Sequence, residues 1–209
     1  MRTGIRFAAD VGGTFTDVVL ERARGDYAST KVLTTHDAPE RAILEGVEQL
    51  ADSEGIDLST AVTQFVHGTT LATNALIERR GAKTALVTTE GFRDVIETRT
   101  ESRFEQYDLD IVLPTPLIER KDRYTVAERR SASGNVLLDF DEAGAAALVE
   151  HLASVDYESV AVGFLHSYVD GANERRFRDL LLDRLPDISV SISCEVSPQM
   201  REFERFNTV

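Results

Sequence analysis

A glycine pair between two apolar segments constrains this sequence more than any other feature. Ile5–Val11 has the composition of a buried strand, and residues 17–21 have that of a second one. Gly12 and Gly13 stand between them and predict a tight turn. Paired glycines permit backbone angles that are closed to other residues, and they let main-chain N–H groups approach a ligand closely. The segment therefore predicts a hairpin whose turn can bind an anion.

Polar side chains surround the predicted turn. Thr14 and Thr16 add hydroxyl groups, and Asp10 and Asp17 place a carboxylate on either side. Asp10 ends a predicted buried strand, where it can hold a hydrated Mg²⁺ beside a phosphate. Together these residues predict a phosphate cradle. The alternative interpretation is a plain hairpin, with threonines favoured by strand propensity and Asp serving as a turn residue.

The cradle matches neither of the common nucleotide-binding loops. The sequence contains no G-x-G-x-x-G and no G-x-x-x-x-G-K-[ST] segment. It also lacks a G-x-S-x-G nucleophile elbow. His36, His151 and His166 show no metal-ligand spacing with one another or with Cys194.

A second candidate site is the His-Gly-Thr-Thr segment at 67–70, which precedes a predicted helix over residues 71–80. Free N–H groups and the helix dipole at a strand-to-helix junction favour an anion. The hydroxyl groups of Thr69 and Thr70 can then contact phosphate, and His67 can relay a proton near neutral pH. The alternative is a threonine N-cap beside a hydrogen-bonded histidine.

Four weaker candidates are equally well explained as solvated surface residues. Asn74 stands one turn into the predicted helix, and Arg99, Arg103 and Tyr107 fall in an aperiodic stretch. Such a stretch can reach over a substrate, but it can also be an ordinary polar loop.

The pattern along the chain predicts an α/β fold with two subdomains. Residues 1–96 read as strand-strand-strand-helix-strand-helix-strand, in which three strands with short turns predict an antiparallel meander. Residues 97–123 are interpreted as a loop or linker. A second α/β subdomain is predicted over residues 124–196, around a central strand at 160–165. Residues 197–209 are interpreted as the start of a further domain, in a truncated chain.

The acidic composition narrows the range of partners. The chain has 36 acidic and 23 basic residues and a formal net charge of −13, which argues against nucleic acid or an anionic membrane as a partner. A single cysteine, Cys194, excludes an internal disulfide bond and fits a reducing cytoplasm. The sequence has neither a signal peptide nor an apolar run long enough to span a membrane. We therefore expect a cytoplasmic protein.

Five blocks of sequence, taken together, resemble the hydantoinase A/5-oxoprolinase family of the actin-like ATPase superfamily. They follow the family's order and cover nearly the whole chain: residues 10–17, 67–76, 88–94, 164–168 and 201–205. The resemblance implies an actin-like (ribonuclease H-like) lobe, a mixed sheet with helices on both faces, beside a second α/β subdomain. A second glycine-rich phosphate motif of the family has no counterpart in this sequence, so the resemblance implies little turnover by this chain alone.

The resemblance also implies an activity. Family members use ATP and Mg²⁺ to open a cyclic amide such as a hydantoin or 5-oxoproline, by phosphorylating the amide oxygen. They are expected to act with a second, B-type subunit or domain, as oligomers. Subunits of ATP-dependent ketone carboxylases, including those for acetone, are close relatives, and a non-catalytic nucleotide-binding module is a third possibility. On this basis the predicted catalytic residues are Asp10, His67 and Thr69, with Asp10 as the metal ligand. The predicted nucleotide-binding residues are Gly12, Gly13, Thr14, Thr16, Asp17, Gly68 and Thr70.

Overall fold

The structure, a computed structural model, describes residues 4–22, 25–101, 105 and 107–209. Arg103, one of the weaker candidates, lies outside the described residues. The chain divides into two compact units, Met1–Gly81 and Ala82–Val209.

The first unit is built around a mixed four-stranded sheet. Its elements, in chain order, are β1 (Ile5–Val11), β2 (Phe15–Glu21), β3 (Tyr27–Leu33), α1 (Pro39–Glu54), α2 (Leu58–Ala61), β4 (Val62–Thr69) and α3 (Leu71–Glu78). The strand order is β3-β2-β1-β4, with β1 to β3 antiparallel and β4 parallel to β1. The predicted meander is confirmed.

Helix α1 covers one face of this sheet. It begins at Pro39, whose missing N–H costs nothing at a helix start, and ends at Gly55, which takes the left-handed conformation of a C-cap with φ of 62°. A Cβ atom on Gly46 would stand 2.5 Å from a methyl carbon of Val18, so glycine allows the helix to approach the sheet closely. The core on this face comprises Phe7, Ala9, Val18, Leu20 and Leu50.

The opposite face of the same sheet, the open face, remains accessible. Because side chains alternate along a strand, it carries the residues between those of the core. A hollow of about 260 Å³ lies on it, between the Arg6–Glu21 ion pair and the side chain of Tyr27. The other residues of the open face include Ala8, Asp10, Asp17, Val19, Lys31, Val66 and Gly68.

The second unit contains a parallel four-stranded sheet. Its elements are β5 (Thr84–Thr89), α4 (Val95–Thr98), a 3-10 turn (Arg120–Asp122), β6 (Arg123–Val126), β7 (Arg129–Arg130), β8 (Val136–Leu138), α5 (Glu142–Val155), β9 (Ser159–Gly163), α6 (Ala172–Arg184), β10 (Ser189–Ile192), α7 (Ser193–Val196) and α8 (Glu202–Thr208). The strand order is β10-β9-β5-β6, and β7 pairs with β8 in a separate hairpin.

Helices cover both faces of the parallel sheet. On one face α5 and α6 bury a large apolar cluster that includes Val87, Val162, Leu152 and Phe177. On the other face Leu86 and Ala161 pack with Ile96 of α4 and Phe206 of α8. The strand predicted at 160–165 is confirmed as the interior strand β9, and the mixed α/β class is confirmed.

Two predicted boundaries need correction. Residues 84–89 were assigned to the first lobe, but β5 pairs with β6 and β9, so the boundary between the units falls at residue 81 and not at 96. Residues 197–209 were assigned to a further domain, but Phe206 of α8 is buried in the second unit. Both errors have the same cause, because partners distant in sequence decide where these segments pack.

The stretch expected to be a loop or linker has little regular structure. After α4 ends at Thr98, the described residues of this stretch form neither helix nor strand until the 3-10 turn at 120–122. Arg99 donates a hydrogen bond to the carbonyl oxygen of Pro114, and Tyr107 is exposed. Within the described ranges, no helix has the length and apolar composition needed to cross a membrane.

Candidate functional site

The turn between β1 and β2 leaves main-chain donors unused. The N–H of Gly12 donates to the carbonyl oxygen of Phe15 at 3.0 Å, which closes the hairpin around Gly13 and Thr14. In the described part of the chain, nothing accepts a hydrogen bond from the N–H groups of Gly13 and Thr14. Two adjacent free donors on an exposed turn are what an anion requires.

The glycine pair is explained by close contacts and not by backbone angle. Neither Gly12 nor Gly13 has a positive φ, so the expectation of angles closed to other residues is wrong. A Cβ atom on Gly12 would instead lie 2.9 Å from the carbonyl oxygen of Phe15. On Gly13 it would lie 3.0 Å from the side-chain nitrogen of Asn74. Asn74 therefore belongs to the surroundings of the turn.

Asp10 and Asp17 are directly opposite each other on the open face. Lys31 forms an ion pair with Asp17 at 3.1 Å, which neutralises one of the two adjacent carboxylates. Asp10 is exposed and has no ion-pair or hydrogen-bond partner among the side chains that the structure describes. Its Oδ1 lies 3.8 Å from the position of a Cβ on Gly68, so the missing side chain keeps space free beside the carboxylate.

This donor set fits one kind of metal site. The described residues contain no group of three or more His, Cys, Asp or Glu side chains that could enclose a metal ion. Mg²⁺ usually keeps several water ligands and takes one or two carboxylates together with phosphate oxygens. Asp10, beside the free N–H groups of the turn, suits a hydrated Mg²⁺ that is bound jointly with a phosphate.

Thr16 occupies a different place from the one predicted. Its side chain is fully buried, and its hydroxyl is 3.0 Å from that of Thr34. The hydroxyl of Thr34 in turn donates a hydrogen bond to the carbonyl oxygen of Gly12 at 2.9 Å. The backbone N–H of Thr34 donates to the carbonyl oxygen of Thr14 at 3.0 Å. Thr16 and Thr34 thus support the turn from beneath, whereas Thr14 is exposed at its surface. Sequence reasoning missed Thr34 because only the strand register brings it here.

The junction between β4 and α3 lies against the end of β1. The N–H of Thr70 donates to the carbonyl oxygen of Val11 at 3.1 Å, and the hydroxyl groups of Thr69 and Thr70 are each 3.4 Å from the same oxygen. A carbonyl oxygen has two lone pairs, so at least one of these hydroxyl groups can turn toward a ligand. Thr69 also accepts a hydrogen bond from the N–H of Leu71, the first residue of α3, at 3.2 Å, whereas the N-cap residue Thr70 makes no side-chain cap.

His67 is separated from Asp10 by the alternation of the strand. The register places Gly68 beside Asp10 and His67 beside Ala9. Ala9 is buried on the face covered by α1, whereas Asp10 is on the open face. The side chain of His67 therefore lies on the opposite side of the sheet from Asp10, although the two residues belong to adjacent strands.

Two other family-like blocks form a buried polar network in the second unit. Glu174 accepts hydrogen bonds from the N–H of Phe164 at 2.8 Å, the hydroxyl of Ser193 at 2.6 Å and the N–H of Cys194 at 2.8 Å. The guanidinium of Arg205 donates to the carbonyl oxygen of Phe164 at 2.8 Å. Residues of the 164–168 and 201–205 blocks thus hold α8 against the end of β9.

Several known proteins are similar to this chain. Residues 6–185 match the family described as the hydantoinase/oxoprolinase N-terminal region. An uncharacterised protein of Methanocaldococcus jannaschii is 35% identical over 100% of this chain and 30% of its own length. The caprolactamase subunit alpha of Pseudomonas jessenii is 31% identical over 97% of this chain and 30% of its own. The 5-oxoprolinase 1 of Arabidopsis thaliana is 30% identical over 96% of this chain and 18% of its own length.

Two solved structures have the same fold. A nucleotide-free acetone carboxylase, from work on ATP-dependent acetone carboxylation, has a TM-score of 0.87 at 26% identity, over 97% of this chain and 31% of that one. The ATP-dependent caprolactamase of Pseudomonas jessenii has a TM-score of 0.82 at 31% identity, over 96% of this chain and 30% of the caprolactamase chain. The chain thus spans less than a third of the length of each of these proteins.

Proposed function

This chain belongs to the hydantoinase/oxoprolinase family, whose N-terminal region it matches, and from this premise we propose that its first unit binds the phosphates of ATP. We further propose that the whole protein is an ATP-dependent hydrolase of cyclic amides. The relatives named caprolactamase and 5-oxoprolinase support this substrate class, because caprolactam and 5-oxoproline are both cyclic amides.

One observation carries the proposal. Among the described residues, the N–H groups of Gly13 and Thr14 have no acceptor, and at the same turn the exposed carboxylate of Asp10 has no partner. A plain hairpin turn needs neither feature. In the proposed site the N–H groups bind phosphate oxygens, and Asp10 holds the hydrated Mg²⁺ that accompanies them.

In this proposal, the chain's own residues position the phosphates of ATP and neutralise their negative charge. When bound, ATP would transfer its terminal phosphoryl group to the amide oxygen and leave as ADP. This would remove the resonance between nitrogen and carbonyl that makes an amide carbon resistant to water, so that water could add to the carbon, the C–N bond would break and phosphate would be released. Gly12 and Gly13 keep the turn narrow, and a hydroxyl of Thr69 or Thr70 is free to contact a phosphate. Positioning and charge neutralisation are the main contributions of proteins to phosphoryl transfer. The proposed catalytic role of His67 would be exerted from the other face of the sheet.

The test is ATP hydrolysis by the full-length protein with Mg²⁺, in the presence of a hydantoin, 5-oxoproline or a simple lactam. We expect one of these substrates to stimulate hydrolysis, and Asp10→Asn to reduce the stimulated rate at least about 100-fold. Asp37→Asn, an exposed carboxylate of the same unit, is the matched control and should retain the rate. Full activity of Asp10→Asn would refute the assignment of the metal ligand.

A second candidate function has its own support. Of the two solved structures, acetone carboxylase has the higher TM-score, 0.87 against 0.82. The same phosphate site could serve phosphorylation of an enol oxygen, with the ketone carbon as the site of carboxylation. Stimulation of ATP hydrolysis by a ketone with bicarbonate, and not by any cyclic amide, would favour this function. Nucleotide binding without any stimulated turnover would favour a non-catalytic module.

The whole protein is proposed to act with a partner subunit. The caprolactamase relative is named as a subunit, as are relatives from acetophenone and acetone carboxylases. We expect residues 1–209 alone to have little turnover and the complete enzyme to be oligomeric. Strong substrate-dependent ATP hydrolysis by residues 1–209 alone would contradict this expectation.

A further inference from the structure

The turn between β1 and β2 is held from its inner side by a residue distant in sequence, Thr34. The hydroxyl and the backbone N–H of Thr34 donate to the carbonyl oxygens of Gly12 and Thr14 respectively. Thr34 directly follows β3, and only 7% of its surface is exposed. Thr34 thus fixes two carbonyl groups of the turn while it is itself buried.

The hydroxyl groups beneath the turn form a chain of hydrogen bonds with a defined direction. The hydroxyl oxygens of Thr16 and Thr34 are 3.0 Å apart, and both side chains are buried. A hydroxyl group has one proton to donate, and Thr34 donates its proton to the carbonyl oxygen of Gly12. The bond between the two threonines must therefore be donated by Thr16. The chain runs from Thr16 to Thr34 and on to the carbonyl oxygen of Gly12.

The peptide bond between Gly12 and Gly13 extends this chain to the surface of the turn. The bond is trans, and the C=O and N–H groups of a planar trans peptide point in opposite directions. Because the carbonyl of Gly12 points inward to Thr34, the N–H of Gly13 points outward, where no described residue accepts its hydrogen bond. Hydrogen bonds in series also polarise one another, so a peptide whose carbonyl accepts a bond has a stronger N–H donor.

We propose that Thr34 is a positioning residue for phosphate, and that Thr16 acts on the phosphate only through Thr34. This inference rests on the proposed binding of ATP phosphates at the turn. The two buried hydroxyl groups set the direction and the strength of the Gly13 N–H as a donor, and neither of them touches the nucleotide. Thr16, which the sequence placed among the nucleotide-binding residues, thereby has a role that is compatible with its burial.

The effects of the two threonines on nucleotide binding should not add, because the hydroxyl groups act in series. Thr16→Val removes only the first link and should weaken binding by the full-length protein about 3-fold. Added to Thr34→Val, it should cause no further loss, because the chain is already broken. Direct contact between Thr16 and the nucleotide would instead give losses that multiply, and this result would contradict the proposal.

Calorimetric titration of the full-length protein with AMP-PNP, an ATP analogue that is not hydrolysed, and Mg²⁺ measures the affinity. Thr34→Val keeps the shape of the side chain and its backbone N–H but removes the hydroxyl, so it should raise the Kd about 10-fold or more. Thr34→Ser restores the hydroxyl and should bind within about 2-fold of the parent. Thr30→Val, the matched control on β3, removes a hydroxyl that donates to Gln49 away from the turn, and it should leave the Kd unchanged.

The same titrations separate positioning from plain structural support. A variant that folds incompletely has fewer binding sites per chain, whereas the sites that remain keep the Kd of the parent. A Thr34→Val protein with fewer sites and an unchanged Kd, or with no change at all, would overturn the proposal. So would a Thr34→Ser protein that binds as weakly as Thr34→Val. A parent that binds no AMP-PNP would instead refute the proposed function, and this inference with it.

Discussion

Gly12 and Gly13 differ in what a methyl group would meet. A Cβ on Gly12 faces the backbone oxygen of Phe15, which can move only with the hairpin, whereas a Cβ on Gly13 faces the flexible side chain of Asn74. We expect Gly12→Ala to lower the free energy of unfolding by about 1–3 kcal/mol and Gly13→Ala by less than about 1 kcal/mol.

Urea unfolding of single and double variants checks this difference. Asn74→Ala should remove most of the destabilisation caused by Gly13→Ala, because it removes the side-chain nitrogen that the new methyl group would contact. It should leave the cost of Gly12→Ala unchanged. Equal costs for the two glycine variants would show that the turn relaxes freely.

The thiol of Cys194 should react slowly. Burial, together with the nearby carboxylate of Glu174, raises the pKa of the Cys194 thiol to about 12. The thiolate is the reactive form, and its scarcity outweighs the higher nucleophilicity of a high-pKa thiol, so alkylation at pH 8 should be roughly 50-fold slower than in the unfolded chain. Iodoacetamide labelling in buffer and in about 8 M urea, which unfolds the chain, measures the ratio. Equal rates would contradict the burial of this thiol.

The same shift predicts a dependence of stability on pH. Below about pH 9, the ordinary pKa of the thiol, both the native and the unfolded chain hold the proton, so Cys194 adds no pH dependence. Between about pH 9 and 12 the unfolded chain loses the proton while the native chain keeps it, so stability falls as pH rises. Cys194→Ser should show a smaller loss than the parent over this range, as measured by urea unfolding at several pH values. Identical slopes for the two proteins would contradict the prediction.

The residues of the proposed phosphate site differ in how far the sequence alone reveals them. Asp10 and the glycine pair were predicted because their residue types and spacing are local signals. The burial of Thr16, the support from Thr34 and the separation of His67 were not, because they depend on strand register. Register is decided by pairing between distant segments, which a single sequence does not reveal.

At the scale of elements, Glu174 joins three parts of the second unit. It connects the end of β9 with the start of α6 and with the segment after β10. Glu174→Ala leaves buried donors without an acceptor, and it should lower the free energy of unfolding by about 3 kcal/mol. Asp183→Ala, at an exposed position of the same helix, should change it by less than about 0.5 kcal/mol. Urea unfolding followed by circular dichroism measures both, and similar values would contradict the prediction.

Some elements have strong local signals at their ends. Pro39 and Gly55 bracket α1, and Asp141 caps α5 by accepting a hydrogen bond from the N–H of Gly144 at 3.0 Å. The unit to which a strand belongs was less predictable. Thr84–Thr89 follows α3 closely in sequence, yet it forms the interior of the other sheet. An apolar strand of this composition can join either sheet, and the strands with which it pairs determine which sheet it joins.

At the scale of the whole molecule, the second unit should fold by itself. Its apolar clusters are formed by its own residues on both faces of the sheet. Residues 82–209 expressed alone should therefore melt cooperatively, with native-like circular dichroism in the near and far ultraviolet. Loss of the near-ultraviolet signal with retention of the far-ultraviolet signal would indicate a molten state and contradict this prediction.

The exposed edge of β4 also has a consequence during synthesis. Val62–Thr69 contains no charged residue and no proline that would hinder pairing with another strand. At about 5–20 residues per second, the 140 residues that follow Thr69 in this sequence take roughly 7 to 28 seconds to be added. During that interval the free N–H and C=O groups of β4 are open to pairing with other nascent chains, and binding by chaperones would protect them.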